Sequence, residues 1–244
     1  MIKLLKYFLL IYFTIIIIMN IQIQFDPHLK IENISKSYFD IKDSLKTGDL
    51  LFLTSNENQC KAVRYYGNFE FSHVGMIIRV DDIIFILESD YDCSFDFMEK
   101  KQLKLGVHVI SFEEKMLNMF YKNYYFGVKR INKDINIQKL EEIMEEGKNI
   151  NFEARHLNFL ACKVKKEWYS KIFNRKNHMM CSEFMAYTLK KLGIIANKYP
   201  DNFYTIYDIA NNLPLENGYE FSKIEPFIYT SDEHKILFKK HYKS

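Results

Sequence analysis

The chain has 244 residues, of which 48% are hydrophobic and 27% charged, the balance of an ordinary globular protein. This length can bury one substantial core, so we expect a single folded domain. The formal net charge is only +3 and the 34 basic residues are spread along the chain, which argues against a nucleic-acid partner.

The first two dozen residues form a segment of their own. Two lysines precede an apolar run from Tyr7 to Met19 without any charge, and weaker apolar character continues to Ile23. This run is at the short edge of what spans about 30 Å of hydrocarbon. No small-x-small cleavage site follows it. We predict an uncleaved signal anchor or transmembrane helix at 1–25, with the domain on the non-cytoplasmic side. Signal cleavage with secretion and a buried N-terminal helix are the alternatives.

The next segments lead into the domain. Residues 26–46 are polar and predict an extended linker, and the folded domain is predicted to run over 47–244. The turn Thr47-Gly48-Asp49 opens a short buried strand. Residues 59–66 contain no helix breaker and precede Gly67, which predicts a helix that ends there.

The rest of the chain predicts a mixed architecture. Two apolar runs, 72–80 and 83–88, are separated only by Asp81-Asp82, which predicts an antiparallel hairpin. Further strands are predicted at 107–110 and 124–131, and further helices at 111–121, 137–147, 156–173 and 181–192. Strands dominate the first half and helices the second, which favours an α+β domain. No structure is assigned from about residue 198 onward.

Three residues have the chemistry of a cysteine nucleophile with its base. Cys181 begins a predicted helix, where unpaired backbone N–H groups and the helix dipole favour the thiolate. His73 begins a strand and is placed to act as the base that activates a thiol. Glu88 ends the partner strand of the hairpin, so its carboxylate is expected beside His73, where it would orient and stabilise the imidazolium.

The sequence gives less evidence of a functional role for the other cysteines and histidines. A cysteine on an apolar helix face is more often an inert buried thiol, and the helix start is what distinguishes Cys181. The other cysteines are Cys60, Cys93 and Cys162. They form no CxxC pair, so most should be free thiols, with one or two disulfides as an alternative.

His178 lies near Cys181, but the sequence has no second pair of ligands at zinc spacing, and we predict no metal or cofactor. Solvated or capping roles are expected for His108, His156, His234 and His241.

Four motifs in chain order resemble the circularly permuted branch of NlpC-like, papain-like cysteine hydrolases. This group includes YiiX-like bacterial proteins and relatives in large DNA viruses. The motifs are Leu45–Phe52 (LKTGDLLF), Ser72–Gly75 (SHVG), Leu87–Ser89 (LES) and Cys181–Phe184 (CSEF). In the permuted order the histidine and the acidic residue precede the cysteine. The resemblance implies a small antiparallel sheet packed against helices, with the cysteine helix on the sheet.

The resemblance also implies residue roles. Cys181 would be the nucleophile, His73 the base and Glu88 its orienter in a hydrolase that cleaves an amide or ester bond. The substrate would be a peptide, an isopeptide or an acyl-lipid, and the bilayer would be a partner through the N-terminal helix. A catalytically silent, membrane-tethered binding or structural virion or envelope protein is the alternative.

Two further pairs of residues are candidates on the substrate side. The resemblance implies that the Gly48-Asp49 turn lies beside the substrate. It also implies an oxyanion hole formed by the Cys181 backbone N–H and a tyrosine. Tyr124 and Tyr125 are both candidates for that tyrosine.

Overall fold

The structure is a computed structural model that describes residues 34–90, 105–120, 124–153 and 177–242. It also describes the single positions 168, 172 and 175 and the backbone of 95–96 and 101–102. The anchor predicted at 1–25, most of the helix predicted at 156–173, Cys93 and Cys162 lie outside the described residues. Within the described ranges, every helix is too short or too polar to cross a bilayer.

The described residues have the α+β architecture that the sequence predicts. The strands are β1 (Leu50–Thr54), β2 (His73–Val80), β3 (Ile83–Asp90), β4 (Phe95–Asp96), β5 (Lys101–Gln102), β6 (Gly106–Ser111), β7 (Tyr125–Lys129), β8 (Asn151–Phe152), β9 (His178–Met179) and β10 (Glu225–Ile228). The α-helices are α1 (Tyr38–Ile41), α2 (Asn58–Gly67), α3 (Phe112–Met119), α4 (Ile137–Gly147), α5 (Cys181–Lys191), α6 (Ile206–Asn211) and α7 (Ser231–Tyr242).

Eight strands form one sheet in the order β10-β7-β1-β2-β3-β6-β8-β9. Neighbouring strands are antiparallel except for β8 and β9, which are parallel. The sheet is therefore larger than the small sheet that the resemblance implies. The difference arises because β10, from the unassigned C-terminal part, pairs with β7 at one edge, while two very short strands extend the other edge.

The hairpin predicted around Asp81-Asp82 is present. Val80 pairs with Ile83, and Asp81 takes a left-handed φ of 51°, which aspartate tolerates better than most residues. Met76 pairs with Leu87 in the same register. Continued toward the open end of the hairpin, this register sets Gly75 opposite Glu88 and His73 opposite Asp90. These four residues therefore share one face of the sheet.

Alternation along the strands buries both faces of the sheet. Val74 and Met76 face a core that includes residues of α5, whereas Ile77 and Ile86 face a second core that includes residues of α3. Each fully buried aliphatic or aromatic side chain contributes about 1.5–3 kcal/mol. Burial on both faces explains why these strands appear in the sequence as nearly continuous apolar runs.

The prediction of an extended linker over 26–46 was wrong for its described part. Residues 38–41 form α1, a 3₁₀ turn follows at Lys42–Ser44, and Tyr38, Ile41 and Leu45 are buried in the second core. The spacing of these three apolar residues matches one face of a helix. Their polar neighbours masked this pattern in the sequence.

Candidate active site

His73 and Glu88 meet in the interior of the protein. His73 is the first residue of β2 and only 8% exposed, and Glu88 on β3 is fully buried. The His73 Nε2 and the Glu88 Oε2 are 2.8 Å apart, which is a hydrogen-bonding distance. The hairpin therefore brings together the two residues that the sequence predicted as base and orienter.

Cys181 is the first residue of α5, as predicted. The Glu183 carboxylate accepts a hydrogen bond from the Met180 backbone N–H at 3.3 Å, which caps this helix start. The Ser89 Oγ donates to the Met179 carbonyl at 2.7 Å, so the segment before the cysteine is fastened to β3. These bonds fix the helix start relative to the strand that carries Glu88.

The thiol and the imidazole approach from different sides of the sheet. Cys181 packs in the core that contains Val74 and Met76, while His73 alternates with Val74 and points to the other face. They meet where β2 begins, and Cys181 lies close enough to His73 to affect its protonation. The structure thus places all three predicted residues at one end of the sheet.

Charge controls the protonation of the imidazole. Burial by itself lowers the pKa of His73, but Asp90, then Cys181 and Glu88, outweigh it, and the pKa lies well above its usual value of 6.5. Burial likewise raises the pKa of Glu88, but Lys115, His108 and His73 hold it well below 4.5. Both shifts favour the charged forms of the pair, the imidazolium and the carboxylate.

Lys115 is a part of the site that the sequence analysis missed. It is buried on α3, and its Nζ donates to Glu88 Oε1 and, at 3.0 Å, to Asp90 Oδ2. The two carboxylates raise the pKa of Lys115 against the effect of burial. A signal was present in the sequence, because Lys115 lies between Phe112 and Met116 on the helix face that carries the apolar residues.

His108 is the second residue that sequence reasoning misjudged. It was expected to be solvated, but it is 1% exposed on β6, directly opposite Glu88. Its Nε2 is 3.3 Å from Glu88 Oε1. Its position inside the apolar run Gly106–Ser111 (GVHVIS) was the available signal.

A cavity of about 570 Å³ opens beside His73. Asp90, Cys60 and Tyr124 are among the other residues that line it. The Tyr124 hydroxyl donates to Glu57 Oε2 at 3.4 Å, and burial, Cys60 and Glu57 raise the pKa of Tyr124, so it keeps its proton. Tyr125 lines a different cavity. Of the two tyrosine candidates, only Tyr124 lines the cavity that His73 lines, and it also lines the cavity of Tyr125.

The Gly48-Asp49 turn does not reach the site. Asp49 lies before β1, and His73 pairs with Leu53, four residues further along and about 13 Å away at strand spacing. The fully buried Asp49 carboxylate accepts hydrogen bonds from the backbone N–H groups of Ile131 and Lys46, at 2.9 and 3.0 Å. Asp49 therefore joins neighbouring backbone segments, and a place for this turn beside the substrate stays a prediction.

His73, Glu88 and Asp90 could by distance hold a metal ion, since their ligand atoms lie within 4.8 Å of one another. However, the Lys115 ammonium already binds both carboxylates. A metal ion would have to displace this buried charge or face its repulsion. The donor set therefore fits an internal ion-pair cluster better than a metal centre.

The chain is similar to a viral protein and to a bacterial crystal structure, among others. No family model matches the chain. "Uncharacterized protein R372" of Acanthamoeba polyphaga mimivirus is 24% identical over 217 residues, which cover 80% of this chain and 86% of that protein. The crystal structure of metalloprotein yiiX from Escherichia coli O157:H7 is 14% identical, covering 77% of this chain and 91% of that one, with a TM-score of 0.39. A TM-score this low does not assign a fold.

Proposed function

We propose that this chain is a thiol hydrolase of the circularly permuted papain-like type, with Cys181 as nucleophile, His73 as base and Glu88 as orienter. The observation that carries the proposal is the buried His73–Glu88 pair beside a thiol at a helix start. The order of the three residues along the chain supports the permuted arrangement. The bond cleaved would be an amide or an ester, in a peptide, an isopeptide or an acyl-lipid, with residues 1–25 as the membrane anchor.

The geometry supports a stepwise mechanism. Because Glu88 binds the Nε2 of His73, the Nδ1 is the nitrogen that can serve the thiol. An imidazolium beside a helix N-terminus favours the Cys181 thiolate. The thiolate attacks the carbonyl carbon, and the resulting oxyanion accepts hydrogen bonds from the Cys181 backbone N–H and from the Tyr124 hydroxyl, which turns away from Glu57 to donate.

The remaining steps return the enzyme to its starting state. The tetrahedral intermediate collapses, the bond to the leaving amine or alcohol breaks, and the His73 imidazolium protonates the leaving group. Water then attacks the Cys181 thioester while His73 takes its proton. The carbon–sulfur bond breaks, the carboxylic acid leaves, and His73 is again protonated beside the thiolate.

Cys60, in the cavity that His73 lines, provides a control thiol. It lies in the first turn of α2, so it also benefits from a helix N-terminus, and its Sγ accepts a hydrogen bond from Ser55 Oγ at 3.3 Å. Within the described ranges, no imidazole is among its hydrogen-bond partners. A difference in reactivity between Cys60 and Cys181 would therefore measure what His73 adds.

The test combines alkylation with turnover. Iodoacetamide at pH 6, followed by mass spectrometry, should modify Cys181 much faster than Cys60, and His73→Ala should remove this difference. Cys181→Ala should lose hydrolysis of an activated thioester by up to about 10⁶-fold while it stays folded. Equal alkylation rates, or a folded Cys181→Ala protein with full turnover, would exclude the proposal. Fast alkylation without any turnover would indicate the silent binding protein instead.

A further inference from the structure

We propose that Lys115 is a positioning residue, an internal cation that allows Glu88 and Asp90 to hold the His73 imidazolium together. The inference rests on the proposed function in that His73 is taken as the base. It adds two residues, Lys115 and Asp90, to the three that the motifs supply.

The contacts support this role because they use both oxygens of Glu88. One oxygen, Oε2, is 2.8 Å from His73 Nε2, and the other accepts from Lys115 and lies 3.3 Å from His108 Nε2. Asp90 Oδ2 accepts from the same Lys115 ammonium at 3.0 Å. Lys115 therefore ties both carboxylates to α3, and the Glu88 carboxylate is fixed in the orientation that faces the imidazole.

Charge balance gives Lys115 a second effect. The two carboxylates of Glu88 and Asp90 are matched by the Lys115 ammonium and the His73 imidazolium. Without Lys115, two buried carboxylates would share a single imidazolium, and repulsion between like charges favours uptake of a proton by one of them. That uptake would begin at a pH below the His73 midpoint, and a protonated Glu88 would no longer stabilise the imidazolium. Lys115 thus extends to lower pH the range in which both carboxylates are ionised.

Three other titratable groups lie around His73 and Glu88. They come from different elements: His108 from β6, Tyr124 from the segment before β7, and Cys181 from α5. The His108 Nδ1 is buried without a hydrogen-bond partner among the described residues, so its proton belongs on Nε2, where it donates to Glu88. Tyr124 keeps its proton, as described above. Cys181 adds one negative charge when it is a thiolate.

The experiment compares three variants of the full chain: Asp90→Asn, Lys115→Met and the charge-matched double variant. NMR titration of the His73 imidazole gives a readout that does not depend on turnover. Asp90→Asn should move the His73 midpoint to lower pH, since Asp90 is the neighbour whose charge most raises the pKa of His73. Lys115→Met should move it to higher pH, and the double variant should return it close to wild type.

Turnover provides the second readout. At metal sites, loss of a group that orients a ligand costs about 10- to 100-fold, and we expect a similar loss for Lys115→Met. Adding Asp90→Asn should restore part of this loss, because it removes the unbalanced carboxylate. If Lys115 only fills space, adding Asp90→Asn to Lys115→Met should lower turnover further.

The control is a second lysine–aspartate pair. Lys190 and Asp201 are 2.6 Å apart, and Lys190 lies on the same helix as Cys181 but at its far end. Lys190→Met with Asp201→Asn should leave the His73 titration unchanged.

If Lys115→Met does not fold, Asp90→Asn and the neutral double variant still test the inference. An unchanged His73 midpoint in Asp90→Asn, or no recovery of turnover in the double variant, would overturn the inference. Failure of the proposed function has a different signature, full turnover in Cys181→Ala.

Discussion

Asp49 and Glu88 are two fully buried carboxylates with different kinds of partner. Asp49 accepts from two backbone N–H groups and from the Arg130 guanidinium at 3.3 Å. Glu88 is instead bound by three side chains, those of His73, His108 and Lys115. The first arrangement fastens loops to one another. The second holds a charge whose state can change during a reaction.

This contrast shows why burial alone does not identify a functional carboxylate. Both residues lie in motifs that resemble the same family, and both were candidates from the sequence. The partners separate them, because a backbone N–H group does not change its protonation state near neutral pH whereas an imidazole can. Of the two carboxylates, only Glu88 contacts an imidazole close to a thiol, that of His73 beside Cys181.

The largest expected effect tests directly whether Glu88 and Asp49 have different roles. Glu88→Gln keeps a hydrogen-bond acceptor but loses the charge, so turnover should fall by up to about 10⁴-fold. Asp49→Asn should instead lower the free energy of unfolding by about 1–3 kcal/mol, because its carboxylate bonds are weakened. Its turnover per folded molecule should stay at the wild-type value. Urea denaturation and kcat, measured on both variants, provide the test.

Two outcomes would change this interpretation. An equal loss of kcat in Asp49→Asn would show that the turn contributes to the site despite its distance from His73. Full activity in Glu88→Gln would mean that Asp90 is sufficient to hold the imidazole.

A smaller effect is expected at Gly75, which lies opposite Glu88. A Cβ at this position would be 2.6 Å from Ile86 Cγ2 and 3.2 Å from Glu88 Cβ. Gly75→Ala should therefore destabilise the fold by about 1–3 kcal/mol and reduce turnover as Glu88 is displaced. Gly67→Ala is the control, since nothing lies within 4 Å of its Cβ. A Gly75→Ala protein with normal stability and kcat would show that the hairpin adjusts without moving Glu88.

The sequence predicted the hairpin, the helix start at Cys181 and the meeting of His73 with Glu88. These features depend on local signals, a turn between two apolar runs and a cysteine before an apolar helix face. The roles of Lys115 and His108 depend on which face of a later helix or strand packs on β3, and this is a tertiary property. A lysine is also usually solvated, so its place on an apolar stripe was easily overlooked.

The same limit explains the errors elsewhere. The short α1 segment is helical because Tyr38, Ile41 and Leu45 are buried by the second core, which local propensity does not show. Strand β10 joins the sheet only through its long-range pairing with β7. Asp49 was assigned by motif resemblance, and a motif does not state at which end of a strand the site lies.

The last and smallest expected effect is the pH dependence of stability. The pKa of His73 is raised above its unfolded value of 6.5, so its contribution is complete below pH 6.5 and is lost as the pH rises through the folded pKa. The pKa of Glu88 is lowered below 4.5, so its contribution is complete above pH 4.5 and is lost as the pH falls through the folded pKa. The pair should therefore stabilise the fold fully between about pH 4.5 and 6.5.

The measurement is the free energy of unfolding of wild type relative to His73→Gln, by urea denaturation at several pH values. The difference should be largest near pH 5.5 and should shrink steadily above pH 6.5, because only the folded wild type then holds the extra proton. Gly67→Ala changes no titratable group, so its difference from wild type should be independent of pH. A difference for His73→Gln that grew with pH would mean that the folded protein prefers the neutral imidazole. The ion pair between His73 and Glu88 would then not describe the resting site, and Cys181 would have to lose its proton to a neutral imidazole during the reaction.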